Sequence, residues 1–104
     1  TSNNDPFSVA ISPAILRTNY PNPFNPATTM SFELKTAAYA RLKIFNSKGQ
    51  LVNTLCSDQL SKGIHSYIWN DTDSNHTPVS SGLYLYALEV NGKIIATKKC
   101  VLMK

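Results

Sequence analysis

From Thr28 onward the apolar residues return at every second position, and that period decides what the chain can fold into. Met30, Phe32 and Leu34 alternate with Ser31, Glu33 and Lys35; Ala40, Leu42 and Ile44 alternate with Arg41 and Lys43. A strand sends successive side chains to opposite faces, so this spacing builds half-buried strands. No stretch sustains a helical period. Turn chemistry cuts the strands apart. Ser47-Lys48-Gly49 predicts a short turn, with Gly49 free to take positive φ, and residues 51–56 predict its return strand. Gly63 opens a strand over 64–70 that sets His65, Tyr67 and Trp69 on one face, and residues 70–78 read as a polar loop. Residues 83–90 and 93–103 predict a hairpin around Asn91-Gly92, a pair that tolerates positive φ at both central positions.

Counting outward from a two-residue turn, Val90 faces Lys93, Leu88 faces Ile95, Tyr86 faces Thr97 and Tyr84 faces Lys99. Tyr84, Tyr86, Leu88, Ile95, Val101 and Met103 then share a face; one bulge would move part of that set to the other side. Upstream, residues 1–8 read as polar linker and residues 9–16 as a first edge strand interrupted by Pro13, which cannot donate to a central ladder. Pro21, Pro23 and Pro26 stiffen the next segment into an extended crossing, with Phe24 placed to plug one end of the core. Six to seven strands with frequent turns predict an all-β fold, an antiparallel β-sandwich of immunoglobulin-like type with about seven strands. The expected division is a linker and first edge strand over 1–18 and the sandwich over 19–104.

The 104 residues suffice for one thin core with little room for a deep catalytic pocket. A net charge of +4 could point to nucleic acid, but among the lysines only Lys98 and Lys99 are adjacent, and solvated strand faces account for the rest. No apolar run is long enough to cross a bilayer. The first residue is not Met and no leader is visible, so the chain reads as a piece of a longer precursor whose export signal lies upstream. Neither His65 nor His76 sits in a catalytic motif, and the expectation is that the protein is not an enzyme and needs no cofactor. Asp71, Asp73 and Asn75 resemble the start of a calcium loop, but His76 stands where that loop needs Gly and Gly82 where it needs Glu. A chain of Asx-turns is the competing account. Trp69, Tyr84 and Tyr86 read as core residues rather than as a sugar-binding platform. Cys56 and Cys100 are either one disulfide or two buried thiols.

The run Tyr20-Pro21-Asn22-Pro23-Phe24-Asn25-Pro26-Ala27-Thr28-Thr29 resembles the opening signature of the type A C-terminal sorting domains of the type IX secretion system, found in Bacteroidetes and related phyla. Further pieces follow in that family's order: Leu42-Lys43-Ile44-Phe45-Asn46 with Lys48-Gly49-Gln50-Leu51-Val52, Gly63-Ile64-His65 with Trp69-Asn70, Ser81-Gly82-Leu83-Tyr84-Leu85-Tyr86, and the closing run from Lys98. The immunoglobulin-like domain of the flagellar hook-capping protein shares several of these signals. The resemblance implies a domain that ends a larger cargo protein and is read in the periplasm by an outer-membrane translocon and its shuttle component. A sortase-like peptidase then removes it, leaving the cargo at the cell surface or outside the cell, with cleavage expected within residues 1–18. On this reading Lys98, Lys99, Val101, Leu102 and Lys104 meet the translocon. Tyr20, Pro21, Asn22, Pro23, Phe24, Pro26, Gly49, Trp69, Gly82, Tyr84 and Tyr86 are mainly architectural. Two positions depart from the family: Cys100 replaces a larger apolar residue, and His76 stands where many relatives have Gly. The alternative is a passive spacer, or a carbohydrate- or protein-binding module, of a secreted multidomain protein.

Overall fold

The structure, a computed structural model, describes residues 13–104. The strands are β1 (Ala14–Leu16), β2 (Thr28–Leu34), β3 (Ala38–Asn46), β4 (Leu51–Leu60), β5 (Gly63–Trp69), β6 (Gly82–Val90) and β7 (Lys93–Leu102). They form two antiparallel sheets, in order β1-β2-β5 and β4-β3-β6-β7, whose inner faces make the core. The immunoglobulin-like sandwich expected from the alternation is what the chain adopts. Met30, Phe32, Leu34, Ala40, Leu42 and Ile44 are all sealed from solvent, and Phe32 packs against both His65 and Tyr67. Of the first strand expected over 9–16, Ala14–Leu16 pairs with β2, and positions 9–12 lie outside the described residues.

The two hairpins obey their turn residues. Asn46 organises the β3–β4 turn through its side-chain oxygen, which accepts from the amides of Lys48 and Gln50. Asn91 and Gly92 both take positive φ, 52° and 85°. The return strand β4 runs four residues beyond the expected 51–56, and its pairing with β3 shifts register twice, between Leu42 and Lys43 and between Ile44 and Phe45.

The β6–β7 register corrects the count made from the turn. Val90 does face Lys93, but the ladder shifts between Glu89, opposite Ile94, and Leu88, opposite Ala96, leaving Ile95 as the extra residue. Beyond it Tyr86 faces Lys98 and Tyr84 faces Cys100, so Cys100 and Leu102 enter the core while Met103 is exposed. The unshifted ladder would set Lys99 beside the buried Tyr84. Desolvating an ammonium costs far more than one bulge, and the bulge places a thiol there instead.

Cys56 and Cys100 are both free and buried. They lie on β4 and β7, three strand spacings apart in one sheet, on the order of 14 Å. A bridge needs Cα atoms within about 7 Å, so the folded sandwich holds two thiols.

Candidate recognition edge

The sequence places its most specific motif, the proline segment, and the residues expected to meet a partner at opposite ends of the chain. The fold brings them together. β7 borders the sheet with β6 on one side and no strand on the other among the described residues. The proline segment crosses that open side. The Phe24 amide donates to the Val101 carbonyl at 2.9 Å, and the Met103 amide donates to the Phe24 carbonyl at 2.9 Å, a short parallel bridge. The Val101 amide donates to Asn22 Oδ1 at 3.1 Å. Asn22 and Phe24 thus clasp the last part of the β7 edge.

The clasp is held by its apolar end. Phe24 is 1% exposed and packs on Trp69 with ring centroids 5.4 Å apart; Trp69 meets Tyr84 edge-on at 5.2 Å. These three rings close one end of the core. Trp69 Nε1 donates to the Thr72 carbonyl and Tyr84 Oη to the Ser80 carbonyl, so neither ring buries an unsatisfied donor. Trp69, Tyr84 and Tyr86 are all buried, as expected of core residues.

A second set of bonds fixes where the segment starts. Asn19, 2% exposed and not singled out by its sequence, donates from Nδ2 to Thr28 Oγ1 and to the Pro21 carbonyl. Its amide donates to Tyr86 Oη, which in turn donates to the Arg17 carbonyl. Burial raises the Tyr86 phenol above its ordinary value, keeping it a neutral donor. Tyr20 joins Thr29 through backbone bonds in both directions and leaves its ring 79% exposed. Pro21, Asn22, Pro23 and Pro26 are exposed, so they shape the path without filling the core.

The five residues expected to meet a partner separate into different environments. Leu102 is 1% exposed, a core residue that no partner can touch while β7 is in place. Val101 is half-buried on the outer face, and Lys99 is exposed there. Lys98 stands opposite Tyr86 on the core-facing side, half-buried, with its stem along the sandwich margin. Lys104 is exposed but tethered: Nζ lies 3.4 Å from Asp71 Oδ2, and its backbone amide donates to Ser81 Oγ.

The loop at 70–78 is built from Asx-turns. Asp73 Oδ1 accepts from the amides of Asn75 and Thr77, and Asp71 is engaged by Lys104. Among the described residues no group of three His, Cys, Asp or Glu side chains could hold a metal ion. His76 takes φ 63°. Gly82, at φ 150°, opens β6 with a backbone that side chains rarely adopt. Gly49 turns β3 into β4 at φ 84°. A shallow cavity of about 250 Å³ lies between residues 46–50 and 80–84, with Lys48 and Tyr84 the titratable groups in its lining.

On the outer face of the four-stranded sheet, Lys43 Nζ lies 2.9 Å and Arg41 Nη1 3.4 Å from the Glu89 carboxylate. The Lys43 hydrogen bond, reinforced by both cations, holds that carboxylate below its ordinary range. Burial pushes the Cys100 thiol up to about 12. Burial, with a hydrogen bond to the Cys56 thiol, pushes Tyr67 up to about 12.

Residues 19–93 match the family described as the FlgD Ig-like domain. No curated protein sequence matches significantly. Solved structures share the fold. Dimeric latent PorU from Porphyromonas gingivalis is 20% identical with a TM-score of 0.74, over 90% of this chain and 10% of that one. FlgD from P. aeruginosa is 17% identical with a TM-score of 0.60, over 86% of this chain and 67% of that one. PorZ, an essential bacterial surface component of the type-IX secretion system of P. gingivalis, is 21% identical with a TM-score of 0.55, over 84% of this chain and 11% of that one. The chain thus spans about a tenth of PorU and PorZ and two thirds of FlgD.

Proposed function

The chain belongs to the FlgD Ig-like domain family, and from that premise we propose that it is the sorting-signal domain of a larger exported protein. The type IX outer-membrane translocon and its shuttle component read it. A sortase-like peptidase cuts upstream of β1, within residues 1–13, where the cargo joins. The domain passes through the periplasm with its cargo to the cell surface or the medium, and it has no catalytic role of its own. The observation that carries this reading is the clasp: the opening and closing motifs of the sorting-domain resemblance are joined by hydrogen bonds between Asn22, Phe24, Val101 and Met103. A surface that presents both ends of the motif at once is suited to being read as a unit. The likeness to parts of PorU and PorZ supports the same system.

Deleting residues 98–104 would be a poor test, because it removes Cys100 and Leu102 from the core. The sharper test fuses residues 1–104 behind an exported reporter in a host with a functioning type IX system. A matched fusion carries Lys98→Ala, Lys99→Ala and Lys104→Ala. The intact domain is expected to deliver reporter to the surface or medium, and the triple variant at least tenfold less. Periplasmic retention of both, with the domain folded, would favour the spacer or binding module. Equal delivery of both would move the readout away from these three lysine side chains.

A further inference from the structure

We infer that the stretch of β7 that no described strand pairs with, although β1 of the facing sheet lies close by, is a docking edge for an extended, acidic segment of a partner protein, which adds to the four-stranded sheet as a further strand. The inference goes beyond the export reading, because it concerns how β7 binds whatever protein meets it.

The clasp shows which backbone groups point away from β6. Val101 and Met103 turn theirs outward to Asn22 and Phe24. Orientation alternates along a strand, and no register shift falls between Ala96 and Leu102, so Thr97 and Lys99 point theirs the same way. No strand among the described residues pairs with them. The open stretch runs from the bulge at Ile95 to the clasp at Val101, roughly 20 Å of strand. Two outward residues offer two amides and two carbonyls, enough to fix the register of an incoming strand.

Charge selects the occupant. Lys98 and Lys99 lie within this stretch and Lys93 lies just before its bulge, none with an ion-pair partner among the described residues. The described carboxylates are engaged elsewhere or remote. Glu33 pairs with Arg17, Glu89 with Lys43 and Arg41, and Asp71 with Lys104. Asp73 bonds loop amides, and Asp58 lies on β4 at the opposite margin. A second copy pairing β7 with β7 would bring lysines against lysines. Lysines on an open edge guard against self-pairing, and the same field admits a strand carrying carboxylates.

The test titrates the ¹⁵N-labelled 104-residue chain with a nine-residue peptide alternating Thr and Glu, and with its counterpart alternating Thr and Lys. Amide shifts are expected at Thr97 and Lys99 and not along β4, with the acidic peptide binding at least tenfold more tightly. Thr97→Pro deletes an outward amide that bonds no other described residue; it is expected to keep the thermal midpoint within a few degrees and to weaken the acidic peptide at least tenfold. Lys99→Glu, which leaves the backbone alone, is expected to reverse the preference between the peptides. Equal affinity for both peptides overturns the inference, as do shifts centred away from β7 or a folded Thr97→Pro chain that binds unchanged. Concentration-dependent shifts at Thr97 and Lys99 without peptide would make a second copy the occupant and overturn it too. None of these readouts depends on whether the reporter fusion is exported.

Discussion

The four-stranded sheet has two margins, and the chain treats them differently. Along β4 the ladder with β3 shifts twice, and residues 57–59 present Ser57, Asp58 and Gln59 to solvent. The loop at 70–78 covers the start of that strand: the Ser74 amide donates to the Val52 carbonyl and Asn53 Nδ2 to the Thr72 carbonyl. Along β7 one bulge is followed by seven residues in regular register, and the cover comes from a proline-fixed segment far upstream. Repeated bulges twist an edge away from would-be partners, whereas a regular edge needs charge and a cover. β4 is therefore spoiled as a template, and β7 stays usable over a short, guarded length.

If the β7 cover depends on one anchored ring, removing the ring should open that margin alone. Phe24→Ala is expected to cost about 3–5 kcal/mol in urea unfolding. Amide exchange at Val101 and Met103 should rise beyond the change in global stability, while β4 amides only follow the global change. Equal acceleration on both margins would erase the distinction.

The two thiols sharpen the comparison at alkaline pH. Cys100 on β7 is fully sealed, while Cys56 on β4 keeps 8% exposure and donates to the Ala40 carbonyl at 3.5 Å. A thiol pKa raised from 9.0 to about 12 in the folded state means stability that is whole below pH 9 and drains away as pH climbs toward 12. Cys100→Val should flatten that loss in thermal midpoints taken from pH 8 to 12. Cys56→Ala should flatten it less, because burial raises the Cys56 thiol without sealing it.

The smallest effect has the opposite sign and belongs to the loop that covers β4. His76 holds φ 63°, a conformation that costs a side-chain-bearing residue about 1 kcal/mol relative to glycine. His76→Gly should raise stability by up to about 1 kcal/mol, seen as a higher midpoint in urea, with the β7 amides unchanged in local exchange.

Most of the sandwich was legible because its strands alternate cleanly. β2 and β3 bury the residues that their period names, β5 seals Trp69 and leaves His65 and Tyr67 half-buried on the same face, and Asn91-Gly92 marked the hairpin. The register of β7 was not legible. Ile94 and Ile95 are both apolar, and Lys98 and Lys99 are both cationic, so either phase satisfies the pattern until the far residues are weighed. Only the cost of placing Lys99 beside Tyr84, which already reads as a core residue, decides, and that cost is an energy that the alternation of residue types does not display. The clasp was half legible. Phe24 could be placed at the end of the core, but its backbone bonds to β7 leave no trace in side-chain pattern. Asn19 escaped notice because a lone polar residue before a proline run gives no sign that it bonds Thr28 and Tyr86. Asp71 and Asp73 hinted at a cation, and the fold spends one on Lys104 and the other on its own turn.

The span of the clasp bears on how the protein forms. Asn22 and Val101 are 79 residues apart, and Arg17 and Tyr86 are 69. Contacts so remote in sequence come late, because the entropy of closing the intervening loop must be met before the contact returns anything. A chain leaving the ribosome carries Phe24 long before Val101 and Met103 exist. Without residues 101–103 the Phe24 amide and carbonyl lose their β7 partners, and the end of the core beside Trp69 and Tyr84 loses the strand that holds Phe24 in it. The closure of the core at that end is thus tied to the presence of residues 101–103, and a chain shortened before them is left with that end open.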